Sequence, residues 1–321
     1  METGFYEQIS APLTKMEEGL SIILQSGEPF VQEINAYLLN APGKRIRPAL
    51  FFLTLGLWSG KFEKHIPVAI AIELIHTASL VHDDVVDDAQ KRRGLPTINN
   101  VWGNHVSVLM GDYLFARAFA LLTEYGSLAL IREMSTLVEK MAEGEMQQQA
   151  ERFNPEIGQE DYLCRIAKKT AHFFVAAARA GGIVTQAEEK EIQLLADYGY
   201  NMGMAFQLTD DLLDICGDSQ TTGKPAAADL QQGIITLPVL HVLKNSPQGE
   251  TLSAQISIGR VNQQVIAKIC REMANCGTVG FVRNLAAGYV DKARQALAGL
   301  PQNACHDTLY MVSQFVLERK W

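Results

Sequence analysis

Two apolar stretches of this chain each end in three aspartates with the same spacing. The first is S-L-V-H-D-D-V-V-D-D, residues 79–88, and the second is F-Q-L-T-D-D-L-L-D-I, residues 206–215. In each D-D-x-x-D, the outer members share one face of a helix, one turn apart. Like charges at that spacing repel and weaken the helix. A sequence that keeps them places a cation there, and hard carboxylate oxygens suit Mg²⁺. The neighbours are Leu, Val and Phe. A solvated helix end, the bland reading of either triplet alone, would sit in Lys/Glu-rich text.

Helical spacing runs through the rest of the chain. The run into the first triplet starts near Pro67 and carries Ala69, Ile72, Leu74, Ile75 and Leu80 at mixed i, i+3 and i+4 steps. Similar patterns predict helices over 5–25, 29–39, 47–58, 105–125, 128–153, 160–179 and 188–215. Gly181-Gly182 is read as the end of the helix over 160–179, and 217–233 as a loop. From Thr236 the pattern is helical, with breaks near Gly249, Gly277 and Gly299. No strand alternation stands out. The expectation is an all-α fold, helices joined by short loops around one core. A chain of 321 residues could hold two domains, but no Pro/Gly/Ser-rich linker or charge block divides it, so one large domain over 1–321 is expected.

Composition narrows the function. The formal net charge of -8 argues against non-specific nucleic-acid binding. The five cysteines are scattered, without a C-x-x-C pair, and no secretory signal is read, so a reducing cytoplasm is expected. Charges interrupt the apolar stretches short of the ~20 residues of a membrane span, so no transmembrane segment is expected.

Cations accompany the aspartates. Lys44, Arg45 and Arg47 stand in G-K-R-I-R-P at a helix start, where unpaired amides also favour anions. Lys91, Arg92 and Arg93 follow the first triplet, Lys168-Lys169-Thr170 form a third cluster, and Lys224 follows the second triplet. Carboxylates for Mg²⁺ alternating with cations for phosphate oxygens describe a site for two diphosphates. His76, His82 and the cysteines form no nucleophilic triad in this pattern. His82 reads as a packing residue, Asp88 as a solvated helix end, and Cys216 as a small apolar filler.

In G-K-R-I-R-P, L-I-H-T-A-S-L-V-H-D-D-V-V-D-D, R-R-G-L-P-T, A-K-K-T-A, F-Q-L-T-D-D-L-L-D and G-K-P-A-A-A-D-L, in that order, the chain resembles the trans-isoprenyl diphosphate synthases, the polyprenyl synthetase family. The resemblance covers nearly the whole chain. It implies the isoprenoid synthase fold, a single helical bundle around a deep central cavity, usually as a homodimer. It implies that Asp83, Asp84 and Asp87, with Asp210, Asp211 and Asp214, hold Mg²⁺ ions on an allylic prenyl diphosphate, about three per active site. Arg92, Lys169 and Lys224 match positions that grip that diphosphate, with Lys169 counted beside the aspartates as catalytic. Gln207 and Thr170 match nearby polar ligands, and Lys44, Arg47, His76 and Arg93 match the isopentenyl diphosphate site. Two departures stand out. Pro42 replaces a glycine of the first basic motif, and Ile234 occupies a lysine position in G-I-I-T-L-P.

The implied reaction condenses isopentenyl diphosphate with farnesyl or geranylgeranyl diphosphate. Ala78 and Ser79 stand one turn before Asp83, where bulky aromatics stop synthesis early in this family; two small residues there imply a long all-trans product, as in quinone side chains. Other readings are a shorter-chain synthase, the catalytic half of a heterodimer with a small regulatory subunit, a non-catalytic subunit, and a class I terpene cyclase. The last two fit poorly with two intact triplets and the Lys44/Arg47/His76 set.

Overall fold

α-Helix dominates the computed structural model, which describes residues 7–40, 43–92, 94–216 and 227–318. A 3-10 turn, Glu7–Ile9, leads into α1 (Ser10–Ile23), α2 (Pro29–Leu39), α3 (Ile46–Leu55) and α4 (Ile66–Val86). Next come a two-residue hairpin, β1 (Lys91–Arg92) and β2 (Leu95–Pro96), then α5 (Ile98–Trp102), α6 (Asn104–Tyr125) and α7 (Leu128–Ala150). α8 (Gln159–Ile166), a π-helical turn (Ala167–Ala171), α9 (His172–Thr185) and α10 (Glu189–Cys216) follow. α11 (Ala228–Gln231), α12 (Leu237–Asn245), α13 (Gly249–Ser257), α14 (Gln263–Asn275), α15 (Thr278–Leu297) and α16 (Ala304–Glu318) complete the order. Among the described residues the hairpin is the only strand pair, with Arg92 opposite Leu95. The all-α expectation is met.

Local chemistry sets many of the helix ends. Pro29 opens α2 at its first turn, where a missing N–H costs nothing. Asn262 caps α14 by accepting from the amides of Gln264 and Val265, both at 3.1 Å.

Packing groups the chain into two compact units. The first takes Met1–Thr136, Ala176–Leu195 and Leu300–Leu309. Its central element is α4, which buries Val68, Ile70, Ile72, Leu74 and Ile75. Each of these side chains contributes roughly 1.5–3 kcal/mol by leaving water. α6 lies antiparallel to α4. Near one end Ser107 Oγ donates to the Val81 carbonyl at 3.2 Å, and near the other His65 Nδ1 meets the Tyr125 hydroxyl at 2.7 Å.

Two helices bear on the sequence expectation about membrane spans. Helical residues Glu63–Val86 and Asn104–Tyr125 are long and apolar enough to cross a membrane by length and composition, with mean hydropathy 1.3 and 1.4. Charges inside them are sparse, Glu73 in the first and Asp112 and Arg117 in the second. Of the first window, 61% is buried inside the protein, as in a core helix.

The second unit takes Leu137–Val175, Ala196–Gly299 and Tyr310–Trp321. Tyr162, Leu208, Leu212, Leu237, Val242 and Val282 belong to its core, drawing on α8, α10, α12 and α15.

Two further expectations change. The helix over 160–179 is interrupted by the π turn, and Gly181-Gly182 does not end it, since α9 continues to Thr185. Packing explains the glycine. A Cβ on Gly181 would fall 2.2 Å from Thr54 Oγ1 and 2.6 Å from the Leu55 amide, so Gly181 permits helix contact rather than termination. The break between α13 and α14, around Gly259 (φ +71), also had no place in the sequence reading.

Candidate active site

In the first unit the aspartate triplet occupies the last turn of α4. Backbone carbonyls point outward at a helix C-terminus, so the negative end of the helix dipole disfavours carboxylates there. The three aspartates meet this differently. Asp84 is 5% exposed and its Oδ1 accepts from Arg92 Nε at 2.8 Å. Asp83 and Asp87 share the adjacent stripe and are half-buried. The carbonyls at this helix end are also satisfied: Asn99 Nδ2 donates to the carbonyls of Asp84 and Ala89, each at 3.2 Å. Asp88 is exposed with φ 48, a left-handed conformation that Asp tolerates, in keeping with a solvated helix end.

The basic set of this unit surrounds the start of α3. Arg47 Nη1 lies 3.0 Å from His76 Nε2. Lys44 is exposed just ahead of the helix. Arg45 turns inward to Glu17 and Glu73. A cavity of about 90 Å³ is lined by Arg45, Glu73, His76, Asp84 and Arg92, with Leu80 among its apolar walls. Ala78 is fully buried, and Ser79 is half-buried with its hydroxyl donating to the His76 carbonyl at 2.9 Å. His82 Nε2 lies 3.0 Å from the Val108 carbonyl and its ring meets Phe115, as a packing residue should. Arg93 lies outside the described residues.

In the second unit the triplet again closes a helix, α10, and the division repeats. Asp211 is 3% exposed, while Asp210 and Asp214 are half-buried. The stripe Gly199, Gly203, Gln207, Asp211 runs down one face of α10 in i+4 steps. A Cβ on Gly199 would lie 2.6 Å from the Phe174 carbonyl oxygen, and one on Gly203 would lie 2.5 Å from Ala171 Cα. The two glycines therefore bring α10 against the π turn and the start of α9. Thr170, in that π turn, then donates to Gln207 Oε1 at 2.6 Å, and Gln207 Nε2 donates to Asp211 Oδ1 at 2.6 Å. Tyr162 donates to Asp211 Oδ2 at 2.6 Å. Burial, then the charge of Asp211, pushes the Tyr162 hydroxyl well above its usual range, so it remains a donor. Burial, reinforced by the charge of Asp229, pushes the Asp211 carboxyl from 3.8 up to about 7, against the hydrogen bonds from Tyr162 and Gln207.

The π turn carries Ala167–Ala171, the A-K-K-T-A motif. Such turns insert one residue and re-aim the side chains that follow. Lys169 pairs with Glu145, and Lys168 donates to Gln147 Oε1 at 3.2 Å. Burial alone would raise the Glu145 carboxyl, yet Lys169 and the amides of Gln149 and Gln148 hold it below its usual range. Ile234 is 8% exposed and its amide donates to the Asp229 carbonyl at 2.9 Å. Arg165 fixes the loop beside it, donating to the Ile235 carbonyl at 2.6 Å and pairing with Glu151. Lys224 and the side chain of Cys216 lie outside what is described.

Sequence reasoning missed Tyr162, Glu145, Arg165 and Asp229. Asp229 stood in the quoted G-K-P-A-A-A-D-L, and its amide lies 3.4 Å from Asp214 Oδ2. The other three carry no local signal, because their partners are distant in sequence.

The donor set suits a small hard cation. Among the described residues no group of three His, Cys, Asp or Glu side chains forms a metal cage. Mg²⁺ does not require one, since it keeps several waters and takes one or two carboxylates together with substrate phosphate oxygens. The outer aspartates would supply such oxygens. Asp84 Oδ1 is engaged by Arg92 and both Asp211 oxygens by Gln207 and Tyr162, while Asp214 Oδ2 also accepts from the Asp229 amide.

The polyprenyl synthetase family model matches residues 28–273. The octaprenyl diphosphate synthase of Escherichia coli (strain K12) is 36% identical over 297 residues, covering 92% of each chain. Heptaprenyl diphosphate synthase component 2 of Geobacillus stearothermophilus is 35% identical and covers 99% of each. Among solved structures, a polyprenyl synthase from Caulobacter crescentus CB15, complexed with calcium and isoprenyl diphosphate, superposes with TM-score 0.93 at 33% identity, covering 99% of this chain and 97% of that one.

The Asp211 environment makes stability pH-dependent. A folded-state value raised from 3.8 to about 7 means this carboxyl favours the fold fully below pH 3.8 and loses that contribution as pH rises through about 7. With chelator present, the fall in urea midpoint between pH 5 and pH 8 should be larger in the wild type than in Asp211→Asn. Equal falls in the two proteins would contradict the assigned environment.

Proposed function

Since the chain belongs to the polyprenyl synthetase family and is a trans-prenyltransferase with the all-α isoprenoid synthase fold, we propose that it condenses isopentenyl diphosphate with a farnesyl or geranylgeranyl diphosphate primer to make a long all-trans polyprenyl diphosphate. The observation that carries this is the twice-repeated helix end: outer aspartates half-buried and the middle one bonded to protein, by Arg92 in α4 and by Tyr162 and Gln207 in α10.

Asp83, Asp87, Asp210 and Asp214 would hold Mg²⁺ against diphosphate oxygens. When bound, Mg²⁺ offsets negative charge that builds on the departing pyrophosphate. Arg92, Lys169 and Lys224 would grip the allylic diphosphate, with Thr170 and Gln207 as polar contacts. Each described cation already has an acidic partner, Asp84 for Arg92 and Glu145 for Lys169, which keeps it oriented before substrate arrives. Lys44, Arg47, His76 and Arg93 would bind isopentenyl diphosphate. Its alkene attacks the allylic carbon as the carbon–oxygen bond to pyrophosphate breaks, and a proton is then lost from the new chain to the released pyrophosphate. No side-chain nucleophile is needed.

Quinone tails are the use we assign to the product, in a cytoplasmic enzyme. A homodimer is the assembly we favour, supported by apolar side chains on the outside of α5 and α6: Val101, Val108 and Leu109 are exposed, the last at 67%. A heteromer is the second reading, because one relative is named as component 2 of a heptaprenyl synthase. Light scattering of the purified protein should give twice 35.4 kDa. A monomer that gains activity only with a second polypeptide would favour the heteromer.

Product length follows from Ala78 and Ser79. An isoprene unit is about as long as one helical turn, roughly 5.4 Å, so a product of roughly thirty to fifty carbons must pass several turns of α4. With Mg²⁺, farnesyl and isopentenyl diphosphates, the wild type should make such products and chelator should stop it. Ala78→Phe should shift products toward about fifteen or twenty carbons while the first condensation continues. Short wild-type products, or a Phe variant with unchanged length, would sink this reading of product length.

A further inference from the structure

We propose that Arg45, held by ion pairs to Glu73 and Glu17, is the positioning residue that sets Lys44 and Arg47 for the substrate diphosphate. The inference rests on the reading of Lys44, Arg47 and His76 as the isopentenyl diphosphate site.

Arg45 stands between the two cations assigned to substrate, yet it faces inward. It is the residue before α3, with φ 51 and ψ 31. That left-handed conformation is unfavourable for a residue that carries a side chain. The cost is offset by what the conformation permits. Arg45 spans both oxygens of Glu17, with Nη2 to Oε2 at 3.0 Å, and its Nη1 donates to Glu73 Oε1. The side chain of Arg45 is 14% exposed and that of Glu73 is 4% exposed. Glu73 on α4 and Glu17 on α1 thus hold one guanidinium from two helices.

The same face of α4 serves both arginines. Glu73 and His76 are three residues apart, so they stand one turn apart on the helix. Arg45 meets Glu73, and Arg47 meets His76. The two pairs form a ladder between the start of α3 and the middle of α4. Fixing Arg45 fixes the backbone on both sides of it, at Lys44 and in the first turn that carries Arg47. Arg45, Glu73 and His76 also line one cavity.

Only a planar fork with several donors can serve two carboxylates in this way; a lysine offers one point of charge. Losing the fork would also leave Glu73 buried, where removal from water raises its carboxyl and Arg45 and Arg47 act to lower it.

Initial rates of Arg45→Lys, Glu17→Gln and Lys44→Ala, with each substrate varied in turn and thermal melts alongside, test the proposal. Arg45→Lys should raise KM for isopentenyl diphosphate about tenfold and leave that for the allylic substrate within about twofold. Glu17→Gln should move the same constant in the same direction by less, and it decides the question if Arg45→Lys does not fold. A lower melting temperature with unchanged KM for isopentenyl diphosphate, or an equal rise in both constants, overturns the positioning role. Lys44→Ala serves as the reference. If it leaves KM for isopentenyl diphosphate unchanged, the site reading fails and the proposal with it. If it raises that KM while the Arg45 and Glu17 variants do not, the site stands and the positioning role alone falls.

Discussion

Carboxylates at the carboxyl end of a helix are the constraint on which the rest of this protein depends. Both triplets close a long helix, where each aspartate meets the negative end of the dipole and its own neighbours one turn away. Exposed to water, three such charges would fray the helix end. The protein buries the middle aspartate instead and gives it fixed donors. In α4 the donor is a cation, Arg92. In α10 the donors are neutral, Tyr162 and Gln207, and the carboxyl moves toward its protonated form. The outer pair keeps part of its surface in both cases, and its repulsion is what a bound divalent cation would relieve.

Much of the second unit serves to make that arrangement possible. Gly199 and Gly203 give up side-chain packing so that α10 can approach the π turn. The π turn gives up regular i, i+4 hydrogen bonding, and in exchange Thr170 reaches Gln207 while Lys169 reaches Glu145. Arg165 is held almost without exposure by Glu151 and the Ile235 carbonyl, and its cation lies over the Tyr162 ring at 5.7 Å. Thr170 acts on the triplet through Gln207, and Arg165 through Tyr162.

What could be read from the sequence was whatever repeats locally. Pro29–Leu39 was read to the residue, and Ile66–Val86 and Glu189–Cys216 within two, because apolar periodicity and proline or glycine punctuation are short-range signals. The triplets were legible for the same reason, as was the packing role of His82. The roles within a triplet were not. Which aspartate turns inward depends on partners such as Tyr162, which is 49 residues away from Asp211. Gly181-Gly182 looked like punctuation but is a contact surface for Thr54, again a long-range fact. The π turn leaves no mark in a pattern whose period changes over only five residues.

The central claim is that each triplet divides its work, with outer aspartates for the metal and the middle one for the protein. The dependence of rate on Mg²⁺ concentration, compared between Asp83→Asn and Asp84→Asn, tests it most directly. The account predicts that Asp83→Asn lowers the rate by at least ~100-fold, about 2.7 kcal/mol, and requires more Mg²⁺ for half-maximal activity. Asp84→Asn should keep the wild-type Mg²⁺ midpoint, whatever it loses through Arg92. A Mg²⁺ midpoint displaced as far by Asp84→Asn as by Asp83→Asn would contradict the division.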